Sequence, residues 1–129
     1  QDAGNAPEQR EPAPAHGGRC ATGPVTVDVT LTFVYPRWAP PPAVPARLRA
    51  QWHTILAGLR VHEDGHKDIV MKAAEEVQRT LEALPAASSC AELKQAASTA
   101  GHAVLERTRR RHDEYDATTR HGMTQGAHW

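Results

Sequence analysis

Across residues 46–84 the apolar side chains recur at steps of three and four: Leu48, Trp52, Ile55, Leu56, Leu59, Ile69, Val70, Ala73, Val77, Leu81 and Leu84. This is the period of a helix with one buried face, and no strand sustains it over such a length. Pro45 stands just before the run, where a missing N–H costs nothing, and Pro85 closes the far end. A helix this long must have its stripe covered, so the rest of the chain is arranged along it. Gly58 and Gly65 are the candidate positions for a kink.

Between Leu59 and Ile69 the stripe is interrupted by His62 and His66. Residues four apart share a helix face, so both imidazoles point inward, while Arg60, Asp64, Lys67 and Asp68 lie off it. Neutral imidazoles on an inward face need partners. Ordinary core hydrogen bonds would serve, and so would one shared metal ion. The intervening residues favour the ion, because His62-Glu63-Asp64-Gly65-His66 is an H-E-x-x-H sequence. In that pattern the histidines are zinc ligands, and Glu63 is the general base that takes a proton from the attacking water. His53 falls off the stripe and reads as surface.

A second helix is expected over residues 91–117, capped by Ser88 or Ser89. Leu93, Ala97, Ala100, Val104, Thr108 and Tyr115 form its thinner inward face, and Ala96, Ala97, Ala100 and Gly101 permit close approach. Two long helices joined by a short turn make an antiparallel hairpin. Counting back from a turn centred near Ala87 sets the two histidines opposite Thr108 to His112. Arg107, Arg109, Arg110 and Arg111 are interspersed with acidic residues and read as a solvated face. Gly122 and Gly126 end the helix and turn the chain, so that His121 returns toward the bundle.

Ahead of the hairpin, Val25, Val27, Val29, Leu31 and Phe33 alternate with Thr26, Asp28, Thr30 and Thr32, which predicts a half-buried strand over residues 24–35. A strand is not stable alone, and the chain holds no second one of equal quality. Its partner would come from the N-terminal arm, from another copy, or from chain not present. Such an edge near a metal can align a substrate backbone by strand addition; merely covering the core is the alternative. Residues 36–45 are proline-rich and predict an extended connection, with Trp38 on the surface. Residues 1–19 show no apolar period and read as a flexible arm, with His16 solvated; residues 20–129 form the domain.

Composition narrows the partners. The 129 residues suffice for one small domain, and 15 basic residues balance 15 acidic ones, so broad attraction to nucleic acid or an anionic membrane is not expected. No apolar run approaches the roughly 20 residues of a membrane span. No cleavable signal is visible, and a start at Gln1 without methionine fits a processed or trimmed form. Cys20 and Cys90 lie far apart without metal-ligand spacing. In an exported protein they would form one disulfide, and in a cytosolic one two free thiols.

The H-E-D-G-H-K sequence of the first helix, together with Y-D-A-T-T-R-H-G-M-T-Q-G-A from Tyr115 to Ala127, resembles the bacterial DUF922 family, whose members are regarded as secreted zinc-dependent proteases. The resemblance covers about Cys20 to Ala127, including Tyr35-Pro36-Arg37-Trp38 and the cysteine before the second helix. Family members often carry more β structure upstream, so here the sheet would be incomplete. It implies an α+β, mainly helical fold: a zincin-like helical hairpin with a small β element from residues 24–35. It implies a secreted or periplasmic zinc metallopeptidase acting on a peptide or protein.

The third ligand stays open. Residues 67–76 lack the glycine and histidine that would extend the motif to H-E-x-x-H-x-x-G-x-x-H, so the ligand must lie on the second helix or the tail. His121 and Asp116 both match the family tail, and His121 comes first as a soft donor that follows a chain reversal; His112 has the right level, and Glu114 is the remaining carboxylate. The oxyanion donor would be Tyr115, Arg120 or a free His121. The competing reading is a secreted metal-binding or interaction domain without hydrolytic activity.

Overall fold

The computed structural model describes residues 13–14 and 18–129, so most of the arm expected over residues 1–19, His16 included, lies outside the described residues. Two helices dominate: α1, Ala46–Glu82, and α2, Cys90–Thr119. Both expected helices are present to within two residues at each end. The buried residues of α1 are Ile55, Gly58, His62, His66, Ala73, Val77 and Leu81, one stripe at helical spacing. Those of α2 include Leu93, Ala97, Gly101, Val104 and Thr108, spaced so that the small residues admit α1. Val77, Leu81, Ala97 and Val104 form the core cluster, with Val25, Val27, Leu84 and Ala100 packed against it.

Helix ends follow their local chemistry. Ser89 caps α2, its hydroxyl accepting from the Glu92 N–H at 3.1 Å. At the other end Arg120, His121 and Gly122 take φ of 50°, 55° and 93°, three successive left-handed residues that reverse the chain. For the two residues with a side chain this costs roughly 1–2 kcal/mol each. The reversal leads into a 3-10 helix, Met123–Gln125, that lies back along α1. Gly58 is where it docks: a Cβ there would stand 2.5 Å from the Ala127 nitrogen. Gly58 and Gly65 thus serve close approach, within a helix that runs unbroken.

The hairpin is strapped on its solvent side, where Glu76 accepts from Arg107 at 2.6 Å and Arg111 at 3.1 Å. Those two guanidinium bonds, Arg107 first, hold its carboxyl below the ordinary range. The arginine run is otherwise exposed, as expected. A Cys20–Cys90 disulfide, with Cα atoms 5.1 Å apart, ties the start of the domain to the head of α2 across a sequence separation of 70. In the chain-entropy model closing such a loop contributes about 4 kcal/mol.

The β element differs from the expectation. Residues 24–35 carry no strand; the small sheet is instead β1, Ala13–Pro14, paired antiparallel with β2, Cys20–Ala21. Burial still alternates along residues 24–28 and 30–36, with Val25, Val27, Leu31, Phe33 and Tyr35 turned partly inward and Val29 exposed. The pattern therefore reports a segment laid across the hairpin, but among the described residues no neighbour offers it a ladder. Trp38 meets Trp52 edge-on at 5.8 Å and pins the proline-rich connection to α1.

Candidate metal centre

His62 and His66 are 5% and 6% exposed, on the α1 face that meets α2. Their Nε2 atoms converge on one oxygen: Asp116 Oδ1 lies 3.0 Å from His62 Nε2 and 2.6 Å from His66 Nε2. These three residues offer donor atoms that all lie within 4.8 Å of one another. Two imidazole nitrogens and a carboxylate oxygen suit zinc. The fit is sharpened by the far side of each ring, where Nδ1 faces another side chain. Gln125 Oε1 is 2.9 Å from His62 Nδ1, and His112 Nδ1 is 2.7 Å from His66 Nδ1. Only Nε2 is left to a ligand. Burial first, and then the neighbouring His66, hold His112 below the ordinary imidazole range.

The hairpin carries the histidines opposite residues 112–119, between one and two turns beyond the expected Thr108 to His112 level. The connection between the helices is not a symmetrical turn. Ala87 bridges Cys20 in extended form, and extended chain advances about 3.3 Å per residue against 1.5 Å in a helix. The chain runs on past the end of α1 before reversing, so α2 starts further out.

Of the candidate third ligands, the structure brings Asp116 to the histidines. His121 has a side chain 81% exposed, with Nδ1 3.9 Å from Asp116 Oδ2. It lines the same cleft, of about 370 Å³, together with His62, Glu63, His66 and Asp116. Glu114 and Arg120 are exposed and outside that lining, and His112 contacts His66 from behind. A second groove of about 430 Å³ continues between the helices under residues 27–31 and shares His66 and Asp116 with the cleft.

Tyr115 is placed differently from the expected oxyanion donor. Its hydroxyl donates to the His62 carbonyl at 2.9 Å, and its ring stacks on His62 with centroids 4.8 Å apart. That hydroxyl is absent from the cleft lining and is committed to α1. Gly65 makes room for it, since a Cβ there would overlap the phenol oxygen. Gly65→Ala is therefore expected to destabilise the fold by about 1–3 kcal/mol through overpacking, although alanine in a helix interior normally gains about 1 kcal/mol over glycine. Urea unfolding of the two proteins checks the sign; a more stable variant would place Tyr115 elsewhere.

Sequence reasoning gave no role to Gln125 or Thr119. Thr119 is 9% exposed, and its hydroxyl lies 3.3 Å from His62 Nδ1. The available signal was a polar residue beside the chain-reversing glycines, which shows its partner only once the tail is folded back.

A family model described as a bacterial protein of unknown function (DUF922) matches residues 10–122. No curated protein and no solved structure gives a significant match to the chain.

Proposed function

The chain belongs to the DUF922 family of bacterial proteins, and we propose that it is a zinc-dependent peptidase whose ion is held by His62, His66 and Asp116. The observation that carries this reading is the convergence of both Nε2 atoms on Asp116 Oδ1 in a cleft that Glu63 also lines. H-E-x-x-H on one helix of a hairpin, with the third donor on the other helix, is a zincin-like arrangement.

When bound, the ion polarises a scissile carbonyl and lowers the pKa of the attacking water. The remaining work falls to this chain's own groups. Glu63, in the cleft but outside the cluster, takes the water's proton and passes it to the leaving amine nitrogen. His121, exposed at the cleft rim, donates to the developing oxyanion. Residues 32–34 form the opposite wall, along which an extended peptide is laid. The disulfide suits an oxidising compartment, and we place the protein outside the cytoplasm, in the periplasm or secreted. No helix of the described residues is long and apolar enough to cross a membrane.

The test is metal analysis with a peptidase assay on unfolded protein substrates. One zinc per chain, and hydrolysis abolished by a chelator and restored by zinc, is the expected result. Zinc without hydrolysis would favour the non-catalytic metal-binding domain, and no zinc at all would end both readings.

A further inference from the structure

The cleft at the metal centre does not end at the converging side chains. His66 and Asp116 line it, and they also line the groove of about 430 Å³ that runs on between the helices. One segment walls both, with residues 32–34 against the cleft and residues 27–31 over the groove. From His66 to Val77 the groove follows about three turns of α1, roughly 16 Å of helix. Its floor is Ala73, Val77 and Thr108, all buried. The Thr108 hydroxyl donates to the Val104 carbonyl at 2.8 Å, so the floor offers no free donor. Val29 and Leu105 line the groove and stay exposed. Val29 has the inward phase of its segment, between Val27 and Leu31, and is exposed because the space beneath it is the groove. Asp28, Arg109 and Asp113 are exposed and stand at its mouth. Apolar surface left open inside a polar rim marks a binding site.

We infer that the groove receives the bulky apolar side chain, aromatic or long aliphatic, of a peptide residue beside the bond presented to the metal centre. The volume is nearly three times the roughly 150 Å³ that takes up a benzene ring. Ala73 and Ala74 keep it open, since larger side chains on that face of α1 would fill it. A peptide laid along residues 32–34 and continued past His66 and Asp116 reaches the groove within a few residues, at about 3.3 Å each. A small residue at that place leaves the groove empty, and a charged one is stranded among apolar walls. Which bond is cut rests on the peptidase reading; the groove takes such a residue whether or not the metal centre turns over.

Two probes read these claims apart. NMR titration of the protein with N-acetyl-phenylalanine amide is expected to shift the amide signals of Val29, Ala74 and Leu105, and N-acetyl-glycine amide to leave them in place. Peptides varied on either side of the cut should show, at one position, a kcat/KM about 10–200-fold higher for phenylalanine or leucine than for glycine. Ala74→Phe, about two turns of α1 from His66, should abolish both effects with zinc uptake unchanged. Leu105→Glu, at an exposed helix position that tolerates charge, should do the same if Ala74→Phe fails to fold. No shift with the phenylalanine amide, hydrolysis without apolar preference, or a preference that both variants keep would overturn the inference. A dimer in sedimentation that Leu105→Glu dissociates would assign the face to a second copy and overturn it as well. Shifts with the phenylalanine amide but no hydrolysis of any peptide would end the peptidase reading and support the groove as a site for an apolar side chain.

Discussion

Replacing Glu63 with glutamine is expected to leave zinc content unchanged while lowering peptide hydrolysis by about 10²–10⁴-fold, the usual worth of a general base. Glutamine matches the shape of glutamate and its helix propensity, so α1 should keep its stability within about 0.5 kcal/mol. What it loses is the capacity to accept a proton. Glu63 lies one residue round α1 from His62, in the cleft yet outside the cluster of converging donors, so its removal should not disturb the ligands. Metal analysis beside initial rates separates the two effects. Normal turnover by the zinc-loaded variant would remove Glu63 from the chemistry.

Asp116→Ala should act on the other property. Its Oδ1 faces both Nε2 atoms, so alanine removes one of three donors and leaves two buried imidazoles sharing no acceptor. Zinc affinity is expected to fall by more than the roughly 10–100-fold that follows loss of an outer-sphere partner. The metal-free protein should also lose about 1–3 kcal/mol, the cost of stranding a buried polar group. His121→Ala is the paired control: with its side chain largely in solvent, it should bind zinc within a few-fold of wild type while hydrolysing more slowly. Calorimetric titration of both variants is decisive. Zinc retained by Asp116→Ala and lost by His121→Ala would exchange the two assignments.

Both helices were legible from the sequence because their period is long and uninterrupted, and His62 and His66 were legible because four residues return to the same face. The cysteine pair was readable as one disulfide among two alternatives. What escaped depends on distance through space. The alternation over residues 24–35 marks which side chains turn inward, but a ladder needs a neighbour, and none is present among the described residues. The level of the hairpin was misplaced because the extended stretch at Ala87 consumes length that a count of residues does not register. The sequence set His121 ahead of Asp116, as a soft donor aimed by a chain reversal, and the structure reverses that order. Asp116 still belongs to α2 and faces α1, whereas His121 lies beyond the left-handed residue that ends the helix. Gly58 and Gly65 looked like weak points of a helix, when each is the place where the tail or Tyr115 comes closest.

The central claim is that one ion is held by the nitrogen and oxygen atoms now converging on each other, beside a free glutamate. A crystal structure of the zinc-loaded protein with anomalous data at the zinc edge tests it most directly. The account predicts a single peak bonded to His62 Nε2, His66 Nε2 and the Asp116 carboxylate, with Glu63 unligated and facing an open position. A peak bonded to His121 in place of Asp116, a shell closed by four protein ligands, or no peak between the helices would contradict it.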